Sequence, residues 1–399
     1  METICPIDSQ FKDQISAFLK PPSLLEVQDY FDQLIASKQI RGLKVKPNGE
    51  YGKGIYAEEG FEEGGLVLKD QMLVGAQHSS NKIDCLVCSF CFRFIGSIEL
   101  QIGRNLYLHD LGVSMNNECT WQTSSQILKD CYQSHSSGGE DYSDVEDPQN
   151  FGECASSSSK NKISLPKEVV ESLMNGELVL PYSKEFPLPP VVSCPGGCRE
   201  AYYCSQSCAE ADWDLHHSLL CGGETSKTLC EALSKFTQHA NETNDIFLLA
   251  AKVISFTILK YRKLKVAHQK SATSDASNCD LPLLLEAWKP ISMGYKRRWW
   301  DCIALPDDVD ACAETAFRMQ IRELAFTSLQ LLKAAMFDKE CELLFSLEIY
   351  GHIIGMFELN NLDLVVASPV EDYFLYIDDL PHSEKVRKHH LDIFILFSA

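Results

Sequence analysis

The feature that most constrains this chain is an interrupted set of zinc-ligand residues. It opens with Cys85-Leu-Val-Cys88-Ser-Phe-Cys91 and resumes far downstream with Cys194-Pro-Gly-Gly-Cys198, Cys204-Ser-Gln-Ser-Cys208, His217 and Cys221. Thiolates two or three residues apart can chelate a tetrahedral zinc from one tight turn, because the knuckle points both sulfurs inward. The later part is dense: Cys198 lies six residues before Cys204, Cys208 nine before His217, and His217-Ser-Leu-Leu-Cys221 closes the run. Nine ligand-type residues are present, and eight are enough for two closed zinc sites. Cys85 and Cys88 have the same spacing as Cys88 and Cys91, which leaves the first pair open. His216 neighbours His217, but only His217 has the three-residue gap to Cys221. Buried cysteines serving as plain small hydrophobes would not fall into paired spacing of this kind.

The other cysteines of the seventeen, from Cys5 to Cys341, are scattered without pairing logic. With Glu2, Asp8, Lys12 and Asp13 interrupting any apolar leader, a reducing compartment is expected, nucleus or cytoplasm rather than secretion. No apolar run reaches bilayer length, so no membrane partner is expected. A formal net charge of −20 argues against general nucleic-acid binding and favours basic protein partners. Between Lys252 and Arg298, ten Lys/Arg stand against Asp275, Asp280 and Glu286; a solvated basic face explains this better than a nucleic-acid contact.

Periodicity divides the chain. Residues 1–39 read as helical, with Ser23 as a cap before Leu25, Tyr30, Phe31, Leu34 and Ile35. Ile40 to Val45, Tyr51 to Ala57 and Gly65-Leu-Val-Leu-Lys69, onward to Val74, read as short strands, with Asn48-Gly49 as a hairpin turn. Residues at about 123–162 are rich in Ser, Gly, Asp and Glu and are expected to form a disordered insertion that splits the metal cluster. Closing so long a loop costs only slowly growing entropy, so its halves can still meet. Asp245 to Leu259 is apolar almost all round, as in a buried helix. Lys263 to Asp280 reads as a polar loop, and Lys296-Arg-Arg-Trp-Trp300 as packing anchors with arginines over the rings. Helices follow at roughly Ala313 to Met336 and Lys339 to Gly355, then strand character from Phe357 to Val366. The fold class is α+β: a small antiparallel sheet, a split zinc finger and a mainly helical insert.

The run from Cys194 to Cys221 resembles the MYND zinc finger, down to Tyr203 before Cys204 and the pair Asp212-Trp213. That resemblance implies interleaved sites: Cys88, Cys91, Cys204 and Cys208 on one zinc, and Cys194, Cys198, His217 and Cys221 on the other. The order hairpin, Gly52-Lys-Gly-Ile-Tyr-Ala57, acidic turn, strand resembles the opening of SET domains, whose glycine loop lets backbone approach S-adenosylmethionine. Together the two resemble the SET-and-MYND protein-lysine methyltransferases, in their plant trithorax-related branch. The resemblance implies a SET start at 40–80, a finger at 85–221, a helical insert at 222–355 and a SET continuation at 356–381, followed by an atypical tail at 382–399. It implies two zinc ions and S-adenosylmethionine as cofactors, with Lys53, Gly54, Ile55, Tyr56 and Asn360 beside the methyl donor.

By the same resemblance the substrate is a histone or another basic protein in chromatin, and the finger recruits protein partners. The family's Asn-His-Ser-Cys segment and its cysteine-rich post-SET region are not found in this sequence. A C-terminally truncated member of doubtful activity is therefore expected, with no catalytic residue assigned. Two alternatives stand beside the enzyme: a zinc-dependent MYND interaction module acting as a regulatory or scaffold form, and a weaker nucleic-acid contact through residues 252–298.

Overall fold

Short helices open the chain because proline, caps and apolar spacing allow little else. α1 (Pro6–Gln10) and α2 (Lys12–Leu19) bury Ile7, Ile15 and Phe18. α3 (Leu24–Ser37) starts at a reciprocal capping box, Ser23 with Glu26, and buries no residue; Leu24 and Leu25 stay exposed. The computed structural model of the protein describes residues 5–48, 52–70, 72–110, 166–223, 227–271, 280–294, 296–307 and 309–381. The Asn48-Gly49 turn, the 123–162 insertion and the 382–399 tail lie wholly or partly outside these residues.

β1 (Leu43–Asn48) pairs antiparallel with β2 (Gly52–Ala57), in register from Leu43 opposite Ala57 to Asn48 opposite Gly52. Gly52 has φ +82°, a conformation that suits glycine. The strands expected at 65–74 do not form among the described residues: 65–70 and 72–74 pair with no described strand, 73–74 make a bend, and Leu66 and Val67 are exposed. Their alternating apolar pattern gives β propensity, while pairing requires a neighbouring edge.

The helical body is built on α8 (Ile246–Ser271), preceded by α7 (Lys227–Thr243). Phe247, Ala250, Val253, Ile254, Ile258 and Tyr261 are all buried, as an apolar circumference requires. The polar loop expected from Lys263 is instead helix to Ser271: lysine, leucine, alanine and glutamine propagate a helix well, and charge on its far end costs nothing in solvent. Against α8 pack α9 (Asp280–Ser292), α10 (Trp299–Cys302) and α12 (Leu347–Asn360), while α11 (Glu314–Met336) lies along α7 and meets α10 and α12. Arg298 and Arg322 lie over the buried Trp300 ring at 5.8 and 5.9 Å, the packing anchor expected there. Trp288 donates its indole N–H to Phe18 O at 3.1 Å and ties α2 to this body.

The strand expected from Phe357 is a correction too. Residues 357–360 finish α12, and 361–368 form an extended strap with Val365 97% exposed. The strap delivers α13 (Pro369–Asp379) onto α4 (Ile98–Asp110) and α5 (Lys167–Met174), where Ile98, Ile102, Leu173, Leu180, Tyr373 and Ile377 make a satellite core. The described residues are α+β, mainly helical, with two two-stranded antiparallel sheets.

Candidate metal centre

The first knuckle is folded by its own backbone. The Cys88 amide donates to Arg93 O at 2.8 Å and the Phe92 amide to Cys88 O at 2.9 Å, with Phe92 held at φ 58°. Buried Gln101 on α4 accepts from the Leu86 amide and donates to Leu86 O and Ile95 O, so the turn's polar groups are paired without water. Ser89 then clasps the downstream half. Its amide donates to Tyr202 O at 2.8 Å and its hydroxyl accepts from the Tyr202 amide at 3.2 Å.

The second half begins with β3 (Val192–Ser193) and β4 (Tyr202–Tyr203), paired antiparallel. Between them Gly197 takes φ +73°, and a side chain at Gly196 would meet Cys221 Sγ at 2.6 Å, so the Cys194-to-Cys198 loop needs both glycines. Ser205 caps α6 (Gln206–Asp212) by accepting from the Cys208 amide at 3.2 Å, which sets Cys208 one turn beyond Cys204. A π-helical turn, Trp213–His217, follows. The extra residue in that turn rotates His217 toward the cysteines and His216 away from them.

Two four-residue clusters result: Cys88, Cys91, Cys204 and Cys208, and Cys194, Cys198, His217 and Cys221, each with ligand atoms within 4.8 Å of one another. Cys91 Sγ is 3.6 Å from Cys204 Sγ, Cys204 Sγ is 3.5 Å from Cys208 Sγ, and Cys194 Sγ is 3.6 Å from Cys221 Sγ. Cys198 Sγ is 3.3 Å from His217 Nε2. Four sulfurs at about 2.3 Å from one zinc stand about 3.8 Å apart, so these spacings fit the edges of a metal tetrahedron and are far too long for disulfides. Burial pushes the Cys91 and Cys198 thiols up to about 12. Burial also acts on Cys204, but hydrogen bonds from Cys208 and Cys91 outweigh it and hold that thiol below its usual range. So many thiols in so small a volume cannot all ionise alone; a divalent cation removes the conflict. The donor sets fit structural zinc, closed at four protein ligands each.

His216 has a different task. Its Nε2 donates to Leu73 O at 3.0 Å and its Nδ1 lies 3.3 Å from Asp212 Oδ1, while Asp212 Oδ2 accepts from Tyr203 OH at 2.9 Å. Burial raises the pKa of the Asp212 carboxyl, but hydrogen bonding by His216, nearby Lys252 and the Tyr203 hydroxyl outweigh it and the net shift is down. Ser255 on α8 donates to His216 O at 2.5 Å, and Lys252 Nζ to Gly75 O at 2.6 Å. The finger is thus wired to the helical body and to residues 73–75. The sequence marked Tyr203, Asp212 and His216 but not what they or Gln101 bind, because Leu73 O, Gly75 O, Leu86 O and Ile95 O are backbone carbonyls that carry no signal in the sequence.

Cys85 lies in neither cluster; its carbonyl accepts from Gln77 Nε2 at 3.0 Å, and burial raises its thiol pKa. The methyl-donor residues expected from sequence lie elsewhere. Lys53 Nζ donates to Met293 O at 2.7 Å, the Tyr56 ring lies 3.0 Å from where a Gly54 side chain would begin, and Ile55 and Tyr56 are exposed. Asn360 ends α12 and donates to Met356 O at 2.7 Å.

The MYND finger family matches residues 189–221. That match holds both halves of the second cluster and one half of the first; geometry supplies Cys88 and Cys91. The chain is 60% identical to the histone-lysine N-methyltransferase ATXR2 of Arabidopsis thaliana over 388 residues, 96% of this chain and 78% of that relative. No solved structure matches it. Among the described residues no helix is long and apolar enough to cross a membrane.

Proposed function

The chain belongs to the histone-lysine N-methyltransferases that carry a MYND finger, and from that premise we propose that it serves protein-lysine methylation with S-adenosylmethionine as methyl donor. The observation that carries this reading is the 60% identity over 96% of the chain, a span long enough to take in both hairpin and finger. In the proposed layout, residues 40–80 and 356–381 contribute to the SET fold, 85–221 form the finger and 222–355 the insert. Cys88, Cys91, Cys204 and Cys208 hold one zinc ion; Cys194, Cys198, His217 and Cys221 hold a second. The metal supplies cross-linking, not chemistry, because each site is closed.

S-adenosylmethionine, when bound, supplies an activated methyl group. The residues placed beside it are Lys53, Gly54, Ile55, Tyr56 and Asn360. Their fit rests on three observations. Among the described strands β2 pairs only with β1, so one backbone edge remains open. Gly52 has nothing within 4 Å of a would-be side chain. The exposed Tyr56 ring already has the Lys46 ammonium 5.8 Å from its centroid, so it is a π face of the kind that attracts cations, a sulfonium included. The chain's own part is to bind, orient and exclude water. Its net charge of −20 suits a basic substrate such as a histone, met in the nucleus.

The test is calorimetric titration with S-adenosylmethionine together with labelled-methyl transfer to histone peptides. Saturable binding and labelled lysine are expected. If the purified, zinc-loaded protein neither binds the donor nor labels a peptide, the enzymatic reading falls. A second reading then stands, the finger as a zinc-dependent docking module. It is favoured by the surface groove of Arg93, Phe94, Pro187, Leu188, Pro189 and Val366 beside the finger. Binding of a proline-rich peptide that a chelator abolishes would support it.

A further inference from the structure

The hairpin β1–β2 stands at the margin of the fold, and every residue of β2 except Gly54 is exposed. One of its side chains reaches across to the helical body. Lys53 Nζ donates to Met293 O at 2.7 Å in a partly buried contact. Met293 follows the C-terminus of α9, where carbonyls lack intrahelical partners and the helix dipole is negative. Lys296 converges on the same end, donating to Ile291 O at 2.6 Å and Gly294 O at 2.8 Å.

The other side of this turn is seated on α12. A side chain at Gly294 would meet Met356 Sδ at 2.6 Å, and one at Gly355 would collide with the Arg297 carbonyl. Trp299, just beyond, donates its indole N–H to Glu358 Oε2 at 3.1 Å. Glu358 lies two residues before Asn360, at the end of α12. One short turn therefore touches both segments assigned to the methyl donor, the Lys53 strand on one side and the helix that ends in Asn360 on the other.

We propose that residues 293–294 and 296–298, which follow α9, form a positioning element for methyl-donor binding, with Lys53 as the latch that holds the hairpin to it. This rests on the reading above that the hairpin carries the donor site. Lys53 then acts through the strand it holds. Its ammonium is engaged by Met293 O, and the donor is left to the backbone and to Ile55 and Tyr56. A lysine that touched the donor directly would have to leave that carbonyl.

Hydrogen exchange on the full zinc-loaded chain, with S-adenosylmethionine titration, tests this. Lys53→Met removes the donor group but keeps the apolar stem, and exchange of the β1–β2 amides should quicken about tenfold, with donor affinity falling about tenfold. Amides of α8 and α11 should not change. Lys53→Arg, which keeps a charged donor, should restore both, and Lys296→Met should loosen residues 293–294, 296–298 and the hairpin together. Unchanged hairpin exchange in Lys53→Met overturns the latch. Weakened donor binding with unmoved hairpin exchange overturns it too, by making Lys53 a direct contact. If the wild-type protein binds no S-adenosylmethionine, the donor site itself falls and takes this role with it, whatever the exchange shows.

Discussion

Asp212 sits where the finger, α8 and residues 73–75 meet, and its carboxylate is 3% exposed. Replacing it with alanine leaves the Tyr203 hydroxyl and the His216 ring facing a buried void, each short of a partner. We expect Asp212→Ala to cost about 3 kcal/mol in thermal or denaturant unfolding, and Asp212→Asn less, since the amide oxygen still accepts. A cost within about 0.5 kcal/mol would mean that water replaces the carboxylate freely. The ligands give a second contrast at this scale. Cys88→Ser should take metal content from about two zinc ions per chain to about one, while Cys85→Ser should leave it unchanged, as read by mass-spectrometric metal analysis. Equal losses would place Cys85 in the cluster. The knuckle spacing made all nine ligand-type residues legible in sequence but could not choose between Cys85 and Cys91. That choice is made by Ser89, whose two bonds to Tyr202 bring Cys88 and Cys91, and not Cys85, to Cys204.

Among elements, the strap at 361–368 is held by a side chain from another segment. His78 Nδ1 is 3.0 Å from Asp245 Oδ2 at the head of α8, and its Nε2 is 3.5 Å from Asp363 Oδ1 on the strap. Burial pulls the His78 pKa down, but the two carboxylates outweigh it and the net shift is up. Lys82 and the Ser79 amide face the same Asp245 carboxylate. A raised folded pKa means that the stabilisation is complete below the ordinary histidine value of about 6.5 and is lost as pH rises through the folded value. Exchange at 361–368, corrected for intrinsic rates, should therefore quicken in the wild type as pH rises from the ordinary histidine value of about 6.5 through the raised folded value. It should be flat in His78→Gln; an equal rise in that variant would remove the staple. Helices such as α8 and α11 were readable because their apolar period fixes both type and burial. The segments at 65–74 and 357–366 misled, since alternation in sequence states only that a residue run would suit an edge, and no described edge receives them.

At the scale of the molecule, the two principal cores differ in what holds them. The helical body buries a continuous apolar cluster from Ile7 on α1 to Ile354 on α12. The finger core is Leu86, Cys88, Ile95, Cys194, Ala201, Tyr203, Ala209 and Cys221, and three of these eight belong to the two candidate metal clusters. So small a cluster does not offset the ordering of its loops without metal, whereas the body needs none. Chelation should accordingly unfold residues 194–221 while leaving α8, α11 and α12 protected. The seam between the cores runs through Ser255 to His216 O and Lys252 to Gly75 O, so protection at residues 72–75 should fall with the finger. Heating the zinc-loaded protein should give one dominant transition, and heating it in chelator a body transition alone, with the finger amides already exchanged at the start. Two results would contradict this: finger amides that stay protected in chelator, or a body that loses its protection together with them. The first would make the hydrophobic contacts of Tyr203 and Ile95 sufficient. The second would make the Asp212 seam strong enough to fuse both cores into one cooperative unit, and the zinc ions would then stabilise the entire chain.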